Sequence, residues 1–547
     1  MEPIYKRYSE SKIDENGRLI GFDINCPDNF NFGYDVVDAI ANEEPKKQAL
    51  VYCDENGNER KFTFKEMSDL SSKTANFLIK QGITKGDKVM LILKRNYEYW
   101  YVITALHKIG AVAVPATHLL KTEDIVYRVN CIDVKAIVCT GEDRVAQCVY
   151  EAKAECKNLD KLFCVREDVD GFTRLDEAIE NESASLSRVD TNISEPFLLY
   201  FTSGTTGYPK PVTHNHTYPL AHIITAQYWQ NVKDNGLHLT VSDTGWGKAS
   251  WGKIYGQWLC GTAIMVYDYE RFNSDEILRV IRQYGVTTFC APPTVYRFIV
   301  KNGFKAEDFK NVSYVTTAGE ALNPSIIEQF KEVTGLLIRE GFGQTETTLL
   351  IGNLANYDVK IGSIGKPSPM YNVKIVNDNG EECKPDETGE IVVITNGERN
   401  EGICISRIDN DSEDGRVFID NIYHTGDLAY ADADGYYYYV SRKDDVIKSS
   451  GYRIGPFEIE NVLMKHESVQ ECAITGVPDE ERGFVVKATI VLVKGYEGSE
   501  ELKTELKEYV KSHTAPYKYP RIIEFVEELP KTISGKIRRA EIRGDVK

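Results

Sequence analysis

The strongest constraint on the fold is a regular alternation of amphipathic helices and short apolar strands that begins near residue 60. The spacing predicts a helix over 66–81 that ends at Gly82, and a helix over 97–108 that ends before Gly110. The other predicted elements in this part are strands over 88–94, 111–115 and 136–139 and a helix over 123–131. Strands that alternate with helices predict parallel sheets in a large α/β domain.

The alternation of helices and strands returns further along the chain, and the type of predicted element then changes twice. Helices are predicted over 274–284 and 324–334, and strands over 287–290 and 336–340. Short β-like runs such as 372–377 and 389–394 stand between Asn, Asp and Gly turns, which predicts a small barrel or sandwich within 372–440. Past Arg442 the predicted elements are those of a small α+β domain, over 458–465, 471–477, 485–493, 500–512 and 522–526. We therefore expect an N-terminal domain over 1–442 and a C-terminal domain over 443–547.

Composition narrows the class of protein. The 547 residues exceed what one core usually supports, and 42% hydrophobic with 27% charged residues is ordinary for a globular protein. A net charge of −18 repels nucleic acid and anionic membranes, so an anion site must be built locally. The twelve cysteines form no C-x-x-C pair, which disfavours zinc. The first residues lack an apolar core and no run approaches ~18 apolar residues, so we expect no signal peptide, no membrane span and a cytoplasmic location.

The first chemical motif is a loop of hydroxyl-bearing residues and glycines that follows the apolar run 197–201. Glycines let the backbone approach a phosphate closely, hydroxyl and N–H groups donate to phosphate oxygens, and the closing lysine adds a positive charge. The spacing fits neither a Walker loop nor a dinucleotide fingerprint. Taken alone, the run is also compatible with a flexible surface turn. Its residues are Thr202, Ser203, Gly204, Thr205, Thr206, Gly207, Tyr208, Pro209 and Lys210.

Four more motifs follow in a fixed order and give the first one its meaning. They are Gly341-Phe342-Gly343-Gln344-Thr345-Glu346, Tyr423-His424-Thr425-Gly426-Asp427, the pair Ser441-Arg442-Lys443-Asp444-Asp445 and Ser450-Gly451-Tyr452-Arg453-Ile454-Gly455-Pro456, and Pro530-Lys531-Thr532-Ile533-Ser534-Gly535-Lys536. Together the five resemble the signature sequences of the AMP-binding acyl-CoA synthetase superfamily, which also includes luciferases and the adenylation domains of peptide synthetases. The resemblance covers residues from about 200 to 540.

The resemblance implies that a carboxylic acid is joined to the α-phosphate of MgATP. Lys536 would bridge the acyl carboxylate and the α-phosphate, because the transition state needs its charge neutralised and a carboxylate needs no general base. Thr345 would donate to the α-phosphate, and Glu346 would hold Mg²⁺. Asp427 and Arg442 would bind the ribose. The segments Gly319-Glu320-Ala321 and Glu340-Gly341-Phe342-Gly343, followed by Gln344, match those that border adenine. A solvated Glu346, an Asx turn at Asp427 and an exposed Lys536 are the alternatives from composition alone.

The resemblance also implies a second step, in which CoA attacks the acyl-AMP after the small C-terminal domain swings. The hinge position matches Asp444. Ser450, Gly451, Tyr452 and Arg453 would line a pantetheine tunnel. Candidates for the nucleotide end of CoA are surface cations and an aromatic ring, for which a merely solvated face is an equal alternative: Arg482, Lys511, Lys518, Tyr519 and Arg521.

The acid is the least determined substrate. The resemblance is greatest to the medium-chain acyl-CoA synthetase branch, and Gly343 stands where acetate-specific relatives have a tryptophan that closes the acyl pocket, so a longer acid should fit. Three tryptophans nevertheless fall in the segment that lines this pocket, which predicts a compact aromatic cavity, although core packing is an equal alternative for Trp229. We expect a short- to medium-chain acid, with branched or aryl acids as alternatives. The predicted lining is Trp229, Trp246, Lys248, Trp251, Cys290 and Gly343.

The sequence alone is also compatible with functions other than that of an acyl-CoA synthetase. An adenylation enzyme that loads a carrier-protein thiol would stop at acyl-AMP without its carrier, whereas a CoA-dependent enzyme consumes free CoA; a luciferase-like oxidation is more remote. A nucleotide-binding regulator without catalysis is the alternative from another class. Glu346, Asp427 and Lys536 are all present, which favours catalysis. The predicted partners are the acid, ATP and CoA, with Mg²⁺ as the metal, and the sequence does not predict an oligomeric state.

Overall fold

The computed structural model describes residues 2–202, 209–395, 401–407, 418–419, 421–449, 452–531 and 536–544. The first sheet of the large domain has eight strands, with a central group of parallel pairs and an antiparallel edge. In spatial order they are Ser406–Arg407, Lys210–Asn215, Pro196–Thr202, Val112–Pro115, Lys88–Ile92, Val134–Thr140, Lys161–Val165 and Thr173–Arg174.

The second sheet has nine strands and is again parallel at its centre. In spatial order they are Lys366–Pro367, Ile351–Gly352, Ile338–Phe342, Tyr314–Ala318, Thr288–Cys290, Leu237–Thr240, Ala263–Asp268, Gln48–Asp54 and Glu59–Thr63. The strand predicted over 336–340 therefore begins two residues late. Leu336 and Leu337 are only half-buried, and pairing of Val315 with Ile338 sets the start.

Helices connect these strands, as the alternation predicts. Those of the large domain with eight or more residues are Phe64–Lys80, Glu98–Ile109, Thr122–Ile132, Val145–Lys153, Ser274–Tyr284, Pro293–Asn302 and Pro324–Thr334. Shorter ones are Ala39–Glu43, Leu175–Ala178, Tyr218–Ile223, Gly247–Gly252 and Tyr255–Leu259. Helices Ser274–Tyr284 and Pro324–Thr334 match their predicted bounds because both of their ends carry strong caps. At the start an asparagine side chain accepts a backbone N–H, and at the end a glycine in the left-handed region stops the helix.

Two smaller sheets complete the chain. The third, within the large domain, is antiparallel and contains Asn372–Val376, Gly389–Ile394, Ile422–Ala431, Phe418–Ile419 and Tyr437–Arg442. The fourth belongs to the small domain and contains Tyr452–Ile454, Ile447–Ser449, Gly483–Leu492, Val469–Asp479 and Ile522–Phe525, with helices Pro456–Leu463, Glu500–His513 and Arg539–Arg543. An antiparallel hairpin, Ser9–Ile13 with Leu19–Ile24, lies at the start of the large domain. The predicted fold class, a large α/β domain with a small β part and a small α+β domain, is confirmed. Within the described ranges every helix is too short or too polar to span a bilayer.

Buried histidines distinguish the core of the large domain. His107 stacks on Phe197 with ring centroids 3.7 Å apart, and His216 lies 4.9 Å from the same ring. Burial lowers the pKa of His214 and His216 to about 4 and that of His238 to about 3. The folded protein therefore keeps these imidazoles neutral at a pH where the unfolded chain protonates them.

This core predicts a loss of stability in mild acid. Below pH ~6.5 the unfolded chain binds protons that the folded chain excludes until about pH 4, so each buried histidine lowers the free energy of unfolding by about 1.4 kcal/mol per pH unit in that window. Urea unfolding followed by tryptophan fluorescence measures this, since all five tryptophans lie in the large domain. His216→Phe should make the pH slope shallower by up to about 1.4 kcal/mol per unit, whereas the exposed His513→Gln should not. An unchanged slope in His216→Phe would contradict the assignment.

Candidate active site

The two segments predicted to border adenine lie side by side at the carboxyl edge of the second sheet. Strand Tyr314–Ala318 runs parallel to strand Ile338–Phe342, with Ala318 opposite Gly341. The first strand leads into Gly319-Glu320-Ala321 and the second into Gly343-Gln344-Thr345-Glu346. Ligands of open α/β sheets bind at this edge. The fold therefore brings together two sequences that are separated by 21 residues in the chain.

Glu340 connects these two segments. Its carboxyl accepts a hydrogen bond from the backbone N–H of Leu322 at 3.0 Å, and the residue is 5% exposed. Burial raises the pKa of Glu340 to about 8, although the Leu322 N–H opposes the shift. The carboxyl is therefore mostly protonated at neutral pH, and it retains an O–H that can donate a hydrogen bond.

Asp427 lies at the centre of a buried hydrogen-bond network. Its carboxylate accepts from Gln344 Nε2 at 2.5 Å, from the Tyr439 hydroxyl at 3.2 Å and from Arg442 Nη1 at 3.3 Å. Burial raises the pKa of Asp427, and the charge of Arg442 opposes that shift. Gly426 has a φ of 69°, and a Cβ there would lie 3.0 Å from the Arg442 guanidinium. The turn thus needs glycine both for its backbone conformation and for the arginine beside it.

The predicted catalytic side chains face the same region. The positive charge of Lys536 acts on Asp427 and on Lys248, and in both it lowers the pKa. Glu346 is 7% exposed, and its negative charge contributes to the raised pKa of Arg442. Thr345 is half-buried, and its side chain lies beside Gly247, where an added Cβ would be 3.7 Å from Thr345 Oγ1. The charge of Lys536, a residue of the small domain, therefore acts on two residues of the large domain.

The phosphate-loop motif is held at its two ends by sheet pairing. Thr202 ends one strand, Lys210 begins the next, and the two are direct partners in the antiparallel ladder. The Tyr127 hydroxyl donates to the carbonyl of Pro209 at 3.0 Å. The middle of the motif, Ser203, Gly204, Thr205, Thr206 and Gly207, lies outside the described residues.

Two tryptophans pack directly on the strand that carries the second motif. A Cβ added at Gly341 would lie 2.6 Å from Trp229 Cε2, and one at Gly343 would lie 2.5 Å from Trp251 Cη2. The two indoles meet edge to face, 6.0 Å apart, and Trp229 Nε1 donates to the carbonyl of Glu340. The indole of Trp251 therefore lies directly beside Gly343. The length of acid that this site accepts stays a prediction.

The remaining predicted pocket residues include a half-buried cation, Lys248. Lys248 Nζ donates to the carbonyl of Ala318 at 2.7 Å. Burial lowers the pKa of Lys248, while the charges of Cys290 and Glu320 raise it and that of Lys536 lowers it further. Cys290 is buried at the end of its strand, and Trp246 is half-buried at the start of helix Gly247–Gly252. Lys248 thus contacts the strand that leads into Gly319, and Trp251 contacts the segment that leads into Thr345.

The candidates for CoA contacts fall into two groups on the small domain. Lys511 Nζ lies 4.4 Å from the centroid of the Tyr519 ring, and Arg521 Nη1 donates to the Tyr519 hydroxyl at 2.7 Å. Tyr452 stacks on Tyr517 at 4.1 Å, and both rings are exposed. The backbone N–H of Arg482 donates to Asp479 Oδ1 at 2.9 Å, at the turn between the two long strands of this domain. Ser450 and Gly451 lie outside the described residues, as does the side chain of Arg453.

Sequence reasoning missed three residues that the structure places in the site. Tyr439 reaches Asp427, Tyr423 donates to Gln344 Oε1 at 2.5 Å, and His214 Nε2 lies 2.8 Å from the carbonyl of Thr345. Tyr423 belongs to the motif 423–427, but the sequence gives no role for its side chain. Tyr439 stands among four consecutive tyrosines, so composition gives no sign of which one turns inward. His214 follows the phosphate loop by four residues, and that proximity was the available signal.

Comparison with protein families gives two matches. Residues 37–397 match the AMP-binding enzyme family, and residues 458–536 match the AMP-binding enzyme C-terminal domain. The first match includes the motifs at 202–210 and 341–346, and the second includes the motif at 530–536. The motifs at 423–427 and 441–456, with Arg442 and Asp444, lie in the interval between the two matches.

Curated relatives match almost over their full length. The chain is 41% identical over 532 residues to the mitochondrial acyl-coenzyme A synthetase ACSM3 of Rattus norvegicus, and the aligned region covers 95% of this chain and 91% of the relative. It is 40% identical over 541 residues to 4-hydroxybutyrate–CoA ligase 1 of Metallosphaera sedula, and that aligned region covers 98% of this chain and 93% of the relative.

Two solved structures of CoA ligases also match over almost the whole chain. The anthranilate CoA ligase AuaEII in complex with anthranoyl-AMP matches with a TM-score of 0.86 and 27% identity, covering 95% of this chain and 98% of that one. A benzoate CoA ligase from Burkholderia xenovorans matches with a TM-score of 0.82 and 25% identity, covering 94% of this chain and 100% of that one.

The Asp427 network predicts a defect in nucleotide binding. Arg442→Gln removes a charged partner from Asp427, and hydrogen bonds to charged groups contribute about 1.5–3 kcal/mol, so the Kd for MgATP should rise roughly 10- to 100-fold. Calorimetric titration with MgATP in the absence of an acid measures it. Lys374→Gln is the matched control, because Lys374 pairs with Glu382 on the exposed side of the same sheet. Equal affinities for the two variants would contradict the role of the network.

Proposed function

The chain belongs to the AMP-binding enzyme family, and from that premise we propose that its pocket selects a compact short- to medium-chain carboxylic acid for conversion to the CoA thioester. The reaction class is that of an AMP-forming acid–CoA ligase, with ATP and CoA as the other substrates. Packing of Trp251 against Gly343, beside Thr345 and Glu346, is the observation that carries the proposed choice of acid.

In the first step a carboxylate oxygen of the acid attacks the α-phosphorus of ATP, the bond to the β-phosphate oxygen breaks, and pyrophosphate leaves. No proton needs to be removed, because the acid is ionised at neutral pH. Charge develops on the phosphoryl oxygens, and Lys536 and Thr345 are the side chains we propose to stabilise it. The Asp427 network supports this assignment, since it holds the ribose site next to the position of the Lys536 charge.

In the second step the sulfur of CoA attacks the acyl carbon, the bond from that carbon to the AMP oxygen breaks, and the thiol proton is released. We propose that the domains 1–442 and 443–547 change their relative orientation about Asp444 between the steps. The exposed pair Tyr452 and Tyr517, together with Lys511, Tyr519 and Arg521, supports a role for the small domain in binding CoA. These side chains offer aromatic faces and cations to an anionic nucleotide.

The shape of the pocket supports the size of the proposed acid. The indole of Trp251 stands across the site at Gly343, and Trp229 closes the adjacent position at Gly341. Both rings are almost fully buried and fixed by contacts with the strand. A long unbranched chain would have to displace one of them, whereas a short branched or compact acid would fill the space they leave.

Lys248 favours a second class of acid. Its buried ammonium donates to the carbonyl of Ala318, and an ammonium has three protons to donate. An acyl chain with a terminal hydroxyl would supply a further acceptor and offset the cost of burying the charge. One relative is a 4-hydroxybutyrate–CoA ligase, which supports the inclusion of hydroxy acids in the substrate panel.

The donor set fits Mg²⁺ that arrives with ATP. Mg²⁺ in such sites takes one or two carboxylates together with substrate phosphates, and Glu346 supplies a nearly buried carboxylate beside Arg442. When bound, the metal would neutralise charge on the phosphates. We propose Glu346 as its ligand. The predicted cytoplasmic location stays a prediction.

The role of Lys536 predicts a split between the two steps. Lys536→Ala should lower acid-dependent ATP–pyrophosphate exchange by about 100- to 1000-fold, on the order of 3–4 kcal/mol, because one preorganised charge is lost from the transition state. Conversion of preformed acyl-AMP and CoA to acyl-CoA should stay within about threefold of wild type. Lys531→Ala is the control, since Lys531 is a partly exposed lysine of the same motif that pairs with Glu471. Unchanged exchange in Lys536→Ala would remove this residue from the mechanism.

The pocket geometry predicts a change of acid preference in Trp251→Ala. Because each buried CH₂ contributes about 0.8 kcal/mol, opening the space over Gly343 should raise the ratio of kcat/KM for octanoate over butyrate by at least about tenfold. AMP release in the presence of CoA should be measured with acetate to octanoate, isobutyrate, 2-methylbutyrate, benzoate and 4-hydroxybutyrate. Trp258→Ala controls for lost stability, because Trp258 is equally buried but packs on Phe32 and Phe64. The same ratio in both variants would show that Trp251 does not limit acid length.

A further inference from the structure

A partly buried ionic cluster involves the stretch 536–544 of the small domain, which we call the Lys536 segment. Arg539 Nη2 donates to both carboxylate oxygens of Glu460, at 2.8 and 2.9 Å, and Arg539 Nη1 lies 3.7 Å from Asp445 Oδ2. Arg543 Nη1 donates to Asp445 Oδ1 at 2.7 Å. Two guanidinium groups and two carboxylates thus balance in charge, and we call these four residues the clamp.

The clamp joins three separate segments of the chain. Glu460 lies in helix Pro456–Leu463, and its Oε1 also accepts the backbone N–H of Ile474 at 2.8 Å. Asp445 directly follows Asp444, the proposed hinge. Arg539 and Arg543 begin and end the helix that follows Lys536 by three residues. A rotation of the small domain about Asp444 would therefore carry the Lys536 segment with it, through direct ionic contacts.

Apolar packing alone holds the Lys536 segment weakly. Ile537 and Ile542 pack on a small cluster of Ala473, Val491 and Leu529, apart from the main core of the domain. The helix Arg539–Arg543 has five residues, which is too short to be stable without tertiary contacts. The bidentate pair of Arg539 with Glu460 is the strongest type of contact available to fix such a segment.

The clamp is also linked to the predicted nucleotide site through the charge of Arg539. The charge of Arg539 acts on Tyr439, where it opposes the raised pKa that burial causes, and the Tyr439 hydroxyl donates to Asp427. Burial lowers the pKa of Arg539, but Glu460 and Asp445 raise it to a net increase, so the cation is retained. The Lys536 segment is thus fixed next to the residue proposed to bind the ribose.

We propose that Arg539 is a positioning residue for adenylation: its pair with Glu460 holds the Lys536 segment at the nucleotide site. The proposal rests on the proposed function of Lys536. It concerns the first step alone, because Tyr452 and its strand Tyr452–Ile454 are held separately, by antiparallel pairing with Ile447–Ser449. Loss of the clamp should therefore misplace the lysine without altering the face proposed to meet CoA.

The test compares the two half-reactions in full-length variants. Arg539→Gln should lower kcat for acid-dependent ATP–pyrophosphate exchange about 30- to 100-fold, with KM for ATP and for the acid within threefold of wild type. Thioester formation from preformed acyl-AMP and CoA should stay within threefold. Glu460→Gln keeps a hydrogen-bond acceptor for Arg539 and for Ile474, so it should lower kcat for exchange by a smaller factor. Arg539→Lys should restore only part of the rate, because lysine cannot form the bidentate pair.

Arg538→Gln is the matched control, since Arg538 is the preceding residue and pairs with Glu541 at the surface. It should leave both half-reactions unchanged. Equal losses of exchange and thioester formation in Arg539→Gln and in Glu460→Gln would overturn the proposal in favour of a purely structural role. Normal exchange in both variants would overturn it as well. If Lys536→Ala itself leaves exchange intact, the proposed function of the lysine fails; if Lys536→Ala abolishes exchange while both clamp variants are normal, only the clamp proposal fails.

Discussion

Contact of two indole rings with the backbone of one strand is the constraint on which the site depends. Side chains alternate along a strand, so residues 341 and 343 face one side and residues 340 and 342 the other. Trp229 and Trp251 lie against the first side, where glycines leave the backbone bare, and they would form one wall of the predicted acyl space. Glu340 occupies the second side, where it accepts a hydrogen bond from Leu322, next to the segment predicted to border adenine. A single strand would therefore separate the predicted acyl space from the predicted nucleotide site, and its continuation carries Thr345 and Glu346.

The charges of the site are arranged for anionic substrates in a protein that is strongly acidic overall. The charge of Lys536 lowers the pKa of Lys248, as a like charge does. A carboxylate bound beside Lys248 would oppose this shift, because an opposite charge favours the protonated form. Glu340, with a pKa of about 8, adds no full negative charge at neutral pH. The local balance is therefore positive toward the reacting groups, although the chain carries a net charge of −18.

Sequence reasoning succeeded where the determinants are local and failed where they lie far apart in the chain. Helix Ser274–Tyr284 matched its prediction because Asn273 and Gly285 are adjacent caps. The start of strand Ile338–Phe342 was placed two residues early, because pairing with a distant strand sets it. The motif residues were predicted through the family resemblance, but Trp251 over Gly343 was not, since 92 residues separate the two. Nor was Tyr439 predicted: the register that sets Asp427 opposite Arg442 also brings this one tyrosine within reach of the Asp427 carboxylate.

The four residues from Arg442 to Asp445 show how two domains can share a site and still separate. Arg442 pairs with Asp427, and Lys443 pairs with Glu390, so both are bound to the large domain. Asp445 is bound to Arg539 and Arg543 of the small domain. Asp444 lies between them, and its carboxylate is 3.6 Å from Arg442 Nε, the longest of the ion pairs that Arg442 and Lys443 form. A rotation about Asp444 would break this partly exposed pair and leave the other partners of Arg442, Lys443 and Asp445 in place. The proposed pivot thus coincides with the point at which the charge pairs change from one domain to the other, so each domain can move as a unit with its own reactive residues held in place.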